Sequence, residues 1–132
     1  MFRVLVVDDE EKIRECFAQF LSLKGYQVQE ASNGAQAVSV ATRESFDVIV
    51  MDIRMPLLDG VSACRHIHQI APSTKVVLLT GLPKPREGQA PLEETAVMCL
   101  HKPVLLQDLE QIVGRVCAGE PPGWPDARTI QN

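Results

Sequence analysis

Val4-Leu5-Val6-Val7-Asp8-Asp9 is the stretch on which the fold turns. Its apolar part is short and rich in β-branched residues, the pattern of a strand buried on both faces, and the two acids end it. The pattern recurs along the chain. Asp47-Val48-Ile49-Val50-Met51 ends at Asp52, and Lys75 leads into Val76-Val77-Leu78-Leu79, which ends at Thr80. A further run, Ala96 to Leu100, precedes His101-Lys102-Pro103. Tyr26 and Val28 alternate with Gln27 and Gln29, as in a half-exposed edge strand.

Helical periodicity fills the intervals. Residues 10–24 carry Ile13, Cys16, Phe17, Phe20 and Leu21 on one stripe, with Glu10 and Glu11 in the first turn and Gly25 as the stop. After the Asn33-Gly34 turn signal, residues 34–44 present Ala37, Val38 and Ala41 on one face. Asp59 is a good N-cap for a third helix running through Val61, Cys64 and Ile67. A last helix, about 105–117, carries Leu105, Leu109, Ile112, Val113 and Val116. The helix due over 81–95, fourth in the chain, is expected to be short or irregular: Pro83, Pro85, Gly88 and Pro91 interrupt it, and an interior proline costs about 3 kcal/mol. A loop and then a short helix near 91–95 is the expectation. Residues 119–132, with Trp124 among prolines and glycines, read as a tail or linker.

Five strands alternating with helices predict an α/β fold, a doubly wound parallel sheet with helices on both faces. A chain of 132 residues fits one domain, placed at 1–118, and is long enough to bury a core without staples. The apolar fraction of 45% excludes a disordered chain, and the net charge of −4 argues against direct nucleic acid binding. No run approaches the roughly 18 apolar residues of a membrane span, and the first apolar run is too short for a signal peptide. A cytoplasmic chain without a membrane partner is the expectation. Cys16, Cys64, Cys99 and Cys117 form no CxxC pair and read as reduced, mostly buried thiols. His66 and His68 turn to different helix faces and His101 stands alone, so the histidines offer no metal pattern.

In a doubly wound sheet the ligand crevice lies beyond the carboxyl ends of the strands. Asp8, Asp9, Asp52, Thr80 and Lys102 collect there. Carboxylates at close range repel unless a cation neutralises them, and Mg2+ suits hard oxygen ligands. A hydroxyl and an ammonium opposite the acids bind phosphoryl oxygens. The chemistry suggested is phosphoryl transfer to a carboxylate, giving an aspartyl phosphate.

Over about residues 1–118 the chain resembles the response-regulator receiver domain of two-component signalling. The resemblance rests on Val6-Val7-Asp8-Asp9-Glu10, on Met51-Asp52-Ile53-Arg54-Met55-Pro56-Leu57-Leu58-Asp59-Gly60, on Leu79-Thr80-Gly81 and on His101-Lys102-Pro103. Gly25-Tyr26-Gln27-Val28 and Asn33-Gly34 add a weaker match. It implies a flavodoxin-like strand order, 2-1-3-4-5. It implies Asp52 as phospho-acceptor, with Asp9, Asp52 and the backbone carbonyl of Arg54 as direct Mg2+ ligands and Asp8 acting mostly through a metal-bound water. Lys102 would pair with Asp52 or the phosphate, Thr80 would hydrogen-bond a phosphate oxygen, and Lys102-Pro103 would often be cis. The implied partner is a histidine kinase or histidine phosphotransfer protein, with an output domain beyond residue 132. The module would be no enzyme beyond its own phosphotransfer and autodephosphorylation. Asp59 as a helix cap, Pro56 as a turn former, Gly60 as a room-maker and Glu10 as a macrodipole residue have local readings.

Two departures stand out. Receivers usually carry Tyr or Phe three residues before the lysine, as a rotameric switch, and this chain has Cys99. Prolines also break the segment that normally helps to read out phosphorylation. Coupling from Thr80 is therefore expected through Gly81 and residues 82–91, by a change of order across 81–95 rather than an aromatic flip. In receivers the residues two after the acceptor and two after the Thr flank the path of hydrolytic water. Here they are Arg54 and Leu82, which predicts a long-lived phosphoryl group. Two other functions fit parts of the pattern: a phosphate-independent interaction module, and a small Mg2+-dependent phosphatase of the haloacid-dehalogenase type. The phosphatase wants Asp-x-Asp after its first strand, whereas here the acids are adjacent.

Overall fold

The computed structural model describes residues 1–55, 57–81 and 95–119. In chain order these form β1 (Arg3–Val7), α1 (Glu11–Leu23), β2 (Gln27–Ala31), α2 (Gly34–Arg43), β3 (Val48–Asp52), α3 (Gly60–Ile70), β4 (Lys75–Thr80), β5 (Met98–His101) and α4 (Leu106–Cys117). Pro56, residues 82–94 of the irregular segment expected over 81–95, with most of its short helix near 91–95, and the tail from 120 lie outside the described residues.

The strands pair in parallel in the order β2-β1-β3-β4-β5, the expected doubly wound order. Alternation along each central strand feeds two separate cores. Leu5, Val7, Ile49, Met51, Val76 and Leu78 join Ala37, Val40 and Ala41 of α2 and Ala63, Cys64 and Ile67 of α3. Val4, Val6, Val48, Val50, Val77 and Leu79 join Leu21 of α1 and Leu109, Ile112 and Val113 of α4. This two-sided burial explains why these strands are apolar at every position rather than at every second one. Burying each such side chain contributes about 1.5–3 kcal/mol.

Local chemistry sets the helix ends. Asp59 accepts from the Ser62 amide at 2.9 Å and caps α3 as expected. Gly25, at φ 99°, follows the last turn of α1. The Asn33-Gly34 signal marks the bend into α2: Asn33 caps the helix through the Gln36 amide at 2.8 Å, and Gly34 is its first residue, where the helix was expected to begin.

Three expectations about burial need correction. Cys16 is exposed, because α1 turns Ala18 and Leu21 inward and leaves the Cys16 edge of the apolar stripe in solvent. Only Cys64 among the free cysteines is buried, with Cys99 and Cys117 half-buried. Leu105 is exposed, because it stands at the N-cap position rather than inside α4. The fifth strand begins at Met98 rather than Ala96, although the Val97 amide already bonds to the Val76 carbonyl at 2.9 Å. No helix among the described residues is long and apolar enough to cross a membrane.

Candidate functional site

The carboxyl ends of β1, β3, β4 and β5 meet at one edge of the sheet. Backbone bonds bring the strand exits together: the Asp8 amide to the Ala31 carbonyl at 3.2 Å, the Ile53 amide to Leu79 at 3.0 Å and the Lys102 amide to Thr80 at 2.7 Å. Side chains leaving these exits converge whether or not their charges favour it.

Asp8, Asp9 and Asp52 each offer a carboxylate oxygen, and these atoms lie within 4.8 Å of one another. Asp8 and Asp52 are buried and Asp9 is exposed. Lys102 Nζ donates to Asp52 Oδ2 at 2.9 Å. Thr80 is buried at the last position of β4, opposite His101 of β5. The Arg54 amide bonds to Asp52 Oδ1 at 3.2 Å, so the residue after next turns back over the carboxylate. The Lys102-Pro103 bond is cis. The sequence-chosen residues Asp8, Asp9, Asp52, Arg54, Thr80 and Lys102 thus all stand at this edge.

The electrostatics are unbalanced. Burial pushes the Asp8 carboxyl above its ordinary 3.8, the Glu10 amide opposes this, and the Asp52 charge adds to it. Burial alone would lower the Lys102 ammonium, but its hydrogen bond to Asp52 and the charges of Asp52, Asp8 and Glu10 outweigh that and raise it. Asp8 Oδ1 accepts from the Glu10 amide at 2.9 Å, whereas Asp8 Oδ2 is buried with no hydrogen-bond partner. A buried carboxylate oxygen left unpaired is costly. Hard oxygens, excess negative charge and an unanswered buried lone pair together suit Mg2+.

Arg14 was not legible as part of this site. Its guanidinium donates to the Asp8 carbonyl at 2.9 Å and pairs with Glu30 at 3.0 Å, which fixes the backbone beneath the acids. The available signal was a charged residue seven positions before Leu21, on the inward face of α1. Cys99 is half-buried against the α2/α3 core, and burial raises its thiol pKa. Leu82, expected to shield the phosphate, lies outside the described residues.

Known proteins share this frame. The model of the response regulator receiver domain matches residues 4–114. Response regulator MprA of Mycobacterium leprae (strain TN) is 35% identical over 107 residues, which are 81% of this chain and 47% of that protein. The chain therefore spans about half the length of such relatives. A CheY-like receiver domain protein from Methanospirillum hungatei JF-1 superposes with a TM-score of 0.82 at 25% identity, covering 90% of this chain and 95% of that one. The response regulator protein TrrA from Thermotoga maritima, solved in complex with Mg2+-BeF, gives 0.77 at 30% identity, covering 88% and 99%. Strand order, the acids at the strand exits and a family match over most of the sequence agree, and the chain belongs to the response regulator receiver domain family.

Proposed function

We propose that Asp52 accepts a phosphoryl group from the phosphohistidine of a histidine kinase or histidine phosphotransfer protein, in a Mg2+-dependent reaction. The phosphorylated form would then switch a partner or an output domain. The reading rests above all on the acid cluster, with its unpaired buried Asp8 oxygen and with Lys102 already on Asp52.

In this reading Asp9, Asp52 and the Arg54 carbonyl hold the metal, and Asp8 acts through a metal-bound water. Mg2+, when bound, offsets the repulsion among the acids and the charge that develops on the phosphoryl oxygens. A carboxylate oxygen of Asp52 forms the new O–P bond as the donor's N–P bond breaks, and the electron pair returns to the imidazole nitrogen. The Lys102 ammonium moves from the Asp52 oxygen to a phosphoryl oxygen, and the Thr80 hydroxyl donates to another. The product biases the equilibrium between two conformational ensembles. Residues 1–118 are the module, 119–132 the linker, and the cytoplasm the compartment in this reading.

The test is intact mass after incubation with acetyl phosphate and Mg2+. Wild type gains one phosphoryl group and Asp52→Asn gains none. No gain in wild type, or an equal gain in the variant, rejects Asp52 as acceptor.

A further inference from the structure

We propose that Gly34, at the start of α2, is a positioning residue for the phosphoryl-accepting loop and sets its Mg2+ affinity. The inference rests on the proposed function and deepens it. It stands on a contact between two segments distant in sequence.

The loop leaves β3 at Asp52 and enters α3 at Gly60. Its base is closed by backbone: the Gly60 amide bonds to the Ile53 carbonyl at 2.9 Å, and the Ile53 amide to Leu79 at 3.0 Å. Its crest carries Leu57 at φ 71°, a left-handed conformation that an L side chain adopts at a cost. Leu58, next to it, is half-buried against the α2/α3 core.

The crest rests on Gly34. A Cβ there would strike the Leu58 carbonyl oxygen, 3.0 Å from the carbonyl carbon and 3.1 Å from Leu58 Cβ. Backbone atoms cannot rotate out of the way as a flexible side chain can, so one of the two bodies must move. The helix is the firmer body: Asn33 caps it, and Ala37, Val40 and Ala41 are set in the core. The loop must yield instead. Its base cannot follow, because Gly60 is packed equally tightly, with a Cβ there striking the Asp52 carbonyl and lying 2.7 Å from Ile53 Cα.

A displacement at Leu58 is therefore absorbed between Arg54 and Leu58. That stretch includes the Arg54 carbonyl and adjoins the Arg54 amide that bonds to Asp52 Oδ1. A misplacement of roughly 1 Å at a reacting centre can cost about a hundredfold in rate. Other glycines lack this contact: a Cβ at Gly25 or Gly81 meets nothing within 4 Å.

The experiment compares Gly34→Ala with Gly114→Ala in the full chain. Gly114 is a structural control, because a Cβ there meets only the Tyr26 hydroxyl, at 3.2 Å, in the α1/α4 layer. Mg2+ affinity is measured by calorimetric titration well below both thermal midpoints. Gly34→Ala is expected to weaken Mg2+ binding at least about tenfold, and to slow phosphorylation by acetyl phosphate similarly, while Gly114→Ala leaves both near wild type. An unchanged Mg2+ affinity in Gly34→Ala overturns the inference. Should Gly34→Ala fail to fold, hydrogen exchange on wild type decides. Added Mg2+ should raise protection at residues 34–37 together with 57–60, and a change confined to the loop overturns the inference. A wild type that binds no Mg2+ instead defeats the proposed function, and this inference with it.

Discussion

The two ends of the sheet have opposite electrical designs on the same strands. At the amino end the charge of Arg3 is answered from several sides. The Arg3 amide meets Asp47 at 2.8 Å, and its guanidinium meets the Ser45 carbonyl at 2.7 Å and Glu44 at 2.6 Å while lying 4.8 Å over the Phe46 ring. The Thr74 hydroxyl closes the set on the Phe46 carbonyl at 2.9 Å. At the carboxyl end three acids meet, one lysine answers one of them, and a buried Asp8 oxygen has no partner. Backbone pairing runs through to both ends. Cohesion of the sheet, not their own interactions, therefore holds the acids together. One end stabilises the fold, and the other uses part of that stability.

The sharpest test of this division is loss of chemistry without loss of fold. Asp52→Asn should abolish the phosphoryl mass gain and retain a cooperative unfolding transition. At the opposite end, Phe46→Ala should cost about 3–5 kcal/mol in urea unfolding and leave the Mg2+ affinity of the folded protein unchanged. A large fall in that affinity would show that the two ends are coupled.

Metal binding should relieve the repulsion. At about a hundredfold its dissociation constant, Mg2+ should add about 2.7 kcal/mol of stability to wild type. Asp9→Ala should weaken Mg2+ binding more than Asp8→Ala, and equal affinities would contradict the water-mediated role given to Asp8. Asp8 also predicts a pH effect in the absence of metal. Its folded pKa is raised above 3.8, so its favourable contribution is full below the unfolded value and disappears as pH rises through the folded one. Asp8→Asn should gain stability relative to wild type over that rise.

The smallest effect belongs to Asp59. Its hydrogen bonds from Ser62 hold its carboxyl below 3.8, so its contribution is present above that value and is lost as pH falls through the depressed one. Asp59→Ala should cost about 1 kcal/mol near neutral pH, and the difference should vanish in acid.

The strands and the site edge were legible because each buried strand announces itself as an unbroken apolar run ended by a polar residue. Asp8, Asp9, Asp52, Thr80 and Lys102 needed no more than that and the rule for where doubly wound sheets bind ligands. The phase of α1 is less legible, because the small Ala18 faces the core while the larger Cys16 does not. Periodicity places Leu105 inside α4, whereas it stands one residue before the helix as its N-cap and is exposed. Gly34 and Arg14 act across contacts with Leu58 and Asp8 that no local periodicity encodes.

The alternation along β3 has a consequence for how such a chain can evolve. Val48 and Val50 serve one core, Ile49 and Met51 the other, and Asp52 takes the next place in the same count. Deleting one residue from this strand would exchange the two cores' side chains and withdraw Asp52 from the edge together. The place of Asp52 is thus written in the same reading frame as the hydrophobic alternation. It cannot drift along the strand by insertion or deletion while the fold survives, and only substitution in place is open to it.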